Sequence, residues 1–434
     1  STASKPRGSV RSFTACLAIP IRSAEGNSMA AFDFFITLDG NCLNGFEGLC
    51  GIARLRCDPD TDRWEKEVHF FDGIAGGHAT QVNPTGTLAF LGNLSQTLLF
   101  YDPRTLREVR RLSTLRFCAP DVIYSSQTHV VWLSDKSFIT VLGDSFWRFD
   151  MDDLENPVRL GAHLVKLPHA LKLSPSRRYI GYGSMDHDHK GYARELGVFD
   201  LSTNEARVVQ LPATCWHIAA HPSKDFFYGP SQQVAPQGHE FGEYTLAHFK
   251  NYVFEVDAET ATVTRHASIA KELPAAFTSD VVVTANDVFY NACAGGTLVR
   301  VDLETFKHVQ FIDERPSLFR SLPHLRSGVS NLVEAFSRAN VLGNSHLLLK
   351  ALRATRFSLL DGSLGVQVSP DGRFILTAHR GLNEVIVYRH PEMTVHKRIR
   401  FPSIRGFFPE HIGLLDDPRL GFHHTTISTA TVSA

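Results

Sequence analysis

Four histidines in this chain each stand where an apolar strand begins. His78 opens HATQVNPTG (78–86), His169 opens HALKLSPSR (169–177), His217 opens HIAAHPSK (217–224) and His411 opens HIGLLDDPRLGFHHTTIST (411–429). Neutral imidazoles that converge on one point suit a first-row transition metal. An all-histidine set with open positions fits Fe(II) best, with Cu or Zn as further fits. Without a metal, clustered imidazoles repel one another once protonated, so such a set needs a reason to exist.

The histidines recur because the elements around them recur. Residues 78–112 read as four short strands joined by turns rich in Asn, Pro, Gly and Asp, which is a β-meander. The outer half of this unit returns as LFYDPRTLREV (99–109), GVFDLSTNEARVV (197–209), FEVDAETATVTRH (254–266) and VRVDLETFKHVQF (299–311). Looser copies are WRFDMDDLENPVRL (147–160) and VIVYRHPEMTVHKRI (385–399). Strand starts fall near 78, 121, 169, 217, 280, 365 and 411. The spacing is about 40–50 residues once insertions are set aside, the period of propeller blades. The last unit lacks its outer strands, and GIARLRCDPDTDRWEKEVHFF (51–71) matches them in frame. The expectation is therefore an all-β, seven-bladed propeller over residues 1–434, closed by strands from both ends of the sequence.

These repeats resemble seven-bladed propellers of the YVTN and amine-dehydrogenase-like type. That resemblance covers most of the chain and implies the fold rather than a function.

Composition agrees with one large core. The chain has 434 residues, 43% of them hydrophobic, and its 44 basic and 45 acidic side chains nearly cancel. Neither a nucleic acid nor an anionic membrane is implied as a partner, and no apolar run is long enough to span a bilayer. Seven cysteines without a CxxC pair argue against a disulfide framework or a zinc ribbon. Reduced thiols and a cytoplasmic setting are expected, with a bridge among Cys42, Cys50 and Cys57 left open. Residues 1–22 are basic and Ser-rich, in keeping with a disordered arm or a processed targeting segment.

In a propeller the inner strands start at one rim of the central channel. The seven starts then form a ring of His78, Asp121, His169, His217, Asp280, a residue near Gly365, and His411. Histidine is 21 of 434 residues, so four in seven positions is well above chance. Blades one, three, four and seven would present a rectangle of imidazoles about the axis. Two long connections should crowd the same face. SMDHDHKGYARELG in blade three brings His187, His189 and Glu195, and PSQQVAPQGHEFGEYTLAHFKNY in blade four brings His239, Glu240, Glu243, Tyr244 and His248. Carboxylates and further imidazoles there could orient the metal-bound histidines or touch substrate. A third insertion, 313–362, shows apolar residues at three- and four-residue spacing and reads as a helical cap between blades five and six.

A four-histidine iron on a seven-bladed axis is similar in arrangement to the carotenoid cleavage oxygenases. In that family's scheme His78, His169, His217 and His411 take the ligand role. The glutamates that support those ligands have no matching positions here, although Asp121 and Asp280 stand in the same ring. The resemblance implies a non-haem, metal-dependent oxygenase acting on a small apolar or aromatic substrate with dioxygen. Two other classes stay open: a metal-free binding or scaffold propeller, and a divalent-metal lyase or hydrolase. No GxGxxG, P-loop, GxSxG, HExxH or haem-attachment motif competes. His221 reads as a surface turn residue, and Trp132 and Trp147 as core.

Overall fold

The computed structural model describes residues 30–38, 50–74, 77–93, 95–118, 128–184, 194–231, 252–268, 278–292, 296–314, 363–379 and 384–401, together with the strands at 234–236, 244–246 and 427–431. Among the described residues the chain forms seven four-stranded antiparallel sheets and one two-stranded hairpin. Blade one is Gly77–Val82, Ala89–Asn93, Thr97–Tyr101 and Glu108–Ser113; blade three is Pro168–Leu173, Tyr179–Ser184, Glu195–Asp200 and Glu205–Gln210. Blades two, four, five and six repeat the plan from Val131–Trp132, Ala219–Ala220, Thr278–Val283 and Ser363–Val368. In the seventh sheet Ile427–Thr431 pairs with Phe32–Leu38, followed outward by Cys50–Asp58 and Arg63–Phe71. Innermost strands touch in cyclic order from blade one to Ile427–Thr431, which lies beside Gly77–Val82 again. The protein is a seven-bladed β-propeller.

Each strand's burial follows from its place in a blade. Second strands are buried throughout, as in Tyr179–Ser184, Asp287–Ala292 and Phe374–His379. Fourth strands alternate between exposed and half-buried residues, as in Thr262–Ser268 and Lys307–Asp313. A sheet packed on both faces needs apolar residues without alternation, whereas an outer edge needs a wet face. The apolar residues fall into seven clusters, one for each pair of neighbouring blades.

Two sequence expectations meet a different outcome. Residue 121, expected to begin blade two, lies outside the described residues. That blade's first described strand is Val131–Trp132, cut short by the SDKS turn (134–137). In the seventh sheet the N-terminal region supplies three strands, because FDFFITL (32–38) is buried at every position and so reads as an inner strand. The PSQQVAPQGHEFGEYTLAHFKNY connection contains a small hairpin, Val234–Pro236 with Tyr244–Leu246. The cap expected over 313–362 lies outside the described residues from 315 to 362. Cys50 and Cys57 are both free thiols, and Cys42 lies outside the described residues.

Buried acids inside the blades are matched laterally by arginines. Arg56 donates to Asp33 at 2.9 and 3.0 Å, and Arg300 donates to Asp287 at 2.8 and 3.0 Å. His390 lies 3.5 Å from the second oxygen of Asp287 and is 2.8 Å from the Gly372 carbonyl. The Asp287 carboxylate raises the His390 pKa above its ordinary value. A raised folded-state pKa means stability that is full below the unfolded value of 6.5 and lost as pH rises through the folded value. The melting-temperature deficit of His390→Gln is accordingly larger at pH 5.5 than at pH 8.5. A deficit that grows with pH would contradict this pairing. In the same assay Phe35→Ala, which empties a site 1% exposed between the seventh sheet and blade one, lowers stability by about 3–5 kcal/mol. Phe311→Ala, at 49% exposure, shifts it by no more than about 0.5 kcal/mol.

Candidate metal centre

His78 and His169 are each the second residue of their blade's innermost strand, Gly77–Val82 and Pro168–Leu173. In both strands the ladder slips just there, between Gly77 and Thr80 and between His169 and Lys172. A bulge of this kind re-aims a side chain that regular pleating would send into a blade interface. Ala170 carries the turn of the second bulge with φ at 54°. His129 comes from the segment before Val131–Trp132 in blade two.

The three imidazoles meet. Ligand nitrogens of His78, His129 and His169 all lie within 4.8 Å of one another. The Nε2 atoms of His78 and His169 are 3.4 Å apart, and the His129 and His169 rings are 4.4 Å apart between centroids. All three residues are buried. The backbones that carry them are pinned by hydroxyls: Thr37 donates to the His78 carbonyl and Thr140 to the His129 carbonyl. Thr128 Oγ1 is 2.9 Å from His129 Nδ1, which engages that nitrogen and leaves Nε2 for the centre. His217 extends the row, its ring 5.0 Å from that of His169.

The surroundings disfavour the charged forms of His129 and His217. Burial, followed by the neighbouring His78, His217 and Lys172 charges, holds His129 well below its ordinary pKa. Burial, then His78 and Lys172, pulls His217 down to about 3. A neutral imidazole offers a lone pair, which is what a metal requires. Two imidazole nitrogens bound to one ion at ~2.1 Å each stand roughly 3–4 Å apart. The 3.4 Å contact between His78 and His169 fits that spacing.

A cavity of about 80 Å³ adjoins the cluster, lined among others by His129, His217, Lys172 and Asp280. Asp280 accepts the Val281 and Val366 amides at 3.0 and 3.4 Å, and burial raises its pKa to about 6.

The structure thus brings His78 and His169 together, sets His217 beside them and puts Asp280 on the cavity wall. His411, Asp121, His187, His189, His239, Glu240 and Glu243 lie outside the described residues. Glu195 accepts the Lys166 amide and steadies the entry to blade three. Among the described residues the imidazoles form an arc across blades one to four; the expected rectangle needs His411, which lies outside them. His221 is buried rather than exposed, its Nδ1 accepting the Ser223 and Lys224 amides that close its turn. The sequence reading missed His129, although HVVWLS (129–134) repeats the frame of HALKLS (169–174) and HATQVN (78–83). Placing the blade start at 121 put that match out of register.

Two glycines let one blade's second strand touch the next blade's entry. A Cβ on Gly92 would lie 1.9 Å from the Thr128 carbonyl, and one on Gly183 would lie 2.2 Å from the Trp216 carbonyl. These backbone atoms precede His129 and His217 directly. Gly92→Ala and Gly183→Ala should each cost about 1–3 kcal/mol in denaturant unfolding, because backbone must move to admit the methyl group. Unchanged stability in both would refute the close approach.

No known protein family profile matches this sequence, and no curated protein matches it. Similar solved structures include the β-propeller domain of Cps50 (Swd1) from Myceliophteria thermophila, at 11% identity and TM-score 0.46 over 75% of this chain and 87% of that one. Dihydro-heme d1 dehydrogenase NirN in complex with DHE is similar at 14% identity and TM-score 0.48, over 89% and 76%. Hydrazine synthase of Kuenenia stuttgartiensis is similar at 12% identity and TM-score 0.49, over 76% and 88%.

Proposed function

We propose that this protein is a metal-dependent oxidoreductase whose centre is a first-row transition ion held at the propeller axis by His78, His129 and His169. The observation that carries this reading is the convergence of three buried imidazoles with nitrogens within 4.8 Å. Burial of three basic groups disfavours their protonation, and a cation can take up their lone pairs instead. His217 is the fourth ligand in this reading, and His411 remains a proposed member of the ring.

Three or four imidazoles leave positions of the ion open, and an open ion there can act as a Lewis acid or exchange electrons. Among metals, Fe(II) suits a histidine-rich set with vacant positions, with Cu and Zn as the other candidates. Fe(II) with dioxygen and a small apolar or aromatic substrate is the specific form of the proposal. The chain's own residues then have defined tasks. Thr128 fixes the orientation of His129, the buried walls exclude water, and Asp280 presents a carboxyl whose pKa burial raises to about 6. His187, His189, His239, Glu240, Glu243 and Asp121 are proposed to approach the same face, under a helical cap formed by 313–362. The pairing of Ile427–Thr431 with Phe32–Leu38 is read as the clasp that holds the ring around the centre.

A second reading has its own support. At 3.4 Å, one of His78 and His169 can donate an N–H to the other, as a metal-free binding propeller would require. Elemental analysis of tag-free protein separates the two. Near-stoichiometric iron, copper or zinc is expected, and its loss in each of His78→Ala, His129→Ala and His169→Ala with the fold retained. No metal in the folded wild type sinks the metalloprotein reading. Oxygen uptake by the iron-loaded protein then distinguishes an oxygenase from a divalent-metal lyase or hydrolase.

A further inference from the structure

At the end of the first strands far from the histidine centre, each turn is closed by one side chain that accepts main-chain amides. Asn83 does this in blade one, Ser134 in blade two, Ser174 in blade three, Thr284 in blade five and Ser369 in blade six. Blade four uses a histidine instead. His221 Nδ1 accepts the Ser223 and Lys224 amides at 3.1 and 3.2 Å. A serine closes the same turn elsewhere in the ring, so the imidazole is more than the turn requires. With Nδ1 accepting, Nε2 carries the hydrogen. That N–H has no partner among the described residues, although the residue is only 5% exposed.

His221 lines a cleft of about 480 Å³ between blades four and five. Two of the charged groups in it are already spent on each other and on the wall. Glu255 accepts the Tyr228 and Thr264 hydroxyls at 2.8 Å and two nitrogens of Arg265, which fills the roughly four lone-pair sites of a carboxylate. Arg265 also donates to the Leu303 and Glu304 carbonyls at 3.0 and 3.5 Å. The charges left open come from opposite blades. On the blade-four side Lys224 stands near His221, whose pKa it helps to lower, and it forms no ion pair among the described residues. On the blade-five side Glu304 forms none either, and the Asp302 carboxylate bonds only through Oδ1, to Thr305. Asn286 adds an amide that can donate and accept, and Phe226, Ala285 and Leu303 supply apolar lining. We propose that this cleft binds a small zwitterion, a free α-amino acid with an apolar side chain. Its carboxylate is met by His221 Nε2–H and Lys224, and its ammonium by Glu304 and Asp302. A simple anion would face the acids of blade five, and a simple cation would face Lys224, so each is disfavoured by one wall. The proposal does not rest on the metal reading, because no proposed metal ligand lines the cleft.

The test titrates the full-length protein calorimetrically with L-leucine at neutral pH, beside isocaproate and isoamylamine, which keep the side chain and one charge each. Saturable leucine binding is expected, with each single-charge analogue weaker by at least about tenfold, the scale of one charge-assisted hydrogen bond. Lys224→Met and Glu304→Gln, both at exposed positions, should each weaken leucine by about tenfold or more with the melting temperature unchanged. His221→Ser should lose leucine binding and keep its fold, because serine closes the same turn in blades three and six. If that variant unfolds, the two exposed variants decide the matter. Absence of saturable leucine binding, equal binding of either analogue, or undiminished binding in Lys224→Met and Glu304→Gln would each overturn the proposal.

Discussion

A four-stranded sheet has two faces, and an apolar second strand makes both of them need cover. Everything else in this molecule follows from that requirement. Each blade covers its faces with its two neighbours, so seven blades yield seven shared cores and no blade is satisfied alone. The hydrophobic effect that drives this packing is non-directional. Direction comes from the antiparallel ladders, from arginines that lock buried acids across strands, and from glycines that set how closely neighbours approach.

The centre inherits its geometry from this arrangement. The three imidazoles come from three blades, and their separation is set by how blades one, two and three lean together. The bulges at His78 and His169 divert side chains that would otherwise follow the strand's alternation. Hydroxyls from second strands and neighbouring segments hold the carbonyls behind them. Burying basic rings so close together disfavours their protonation, and burial lowers the pKa values of His129 and His217 accordingly. Neutral, buried, converging nitrogens are at once a cost to a metal-free protein and a preorganised set of ligands.

The fold was legible because its signal is repetitive. Asp-turn-strand frames and Pro turns recur at blade spacing, and each copy corroborates the others. The site was less so. His78, His169 and His217 stood out as strand openers, yet His129 lies two residues ahead of its blade's short first strand, Val131–Trp132, and its frame is hidden by the polar stretch before it. Lys172 carried no signal at all, since a lysine in a strand ordinarily faces solvent. Only the closed ring shows that this position faces the axis. Which residues face one another across a channel is a long-range property, and no local pattern encodes it.

The histidine arc belongs to consecutive blades, whereas the cavity beside it draws its far wall from Asp280 of blade five and Gln367 of blade six. The two features therefore answer differently to the size of the ring. A closed ring shares one full turn among its blades, so an added or deleted blade would change each neighbour's lean a little and the span across the axis much more. The distance across the axis would not survive such a change. Blade number acts here as a calliper: it sets the bore across the axis far more than the spacing of imidazoles on neighbouring blades.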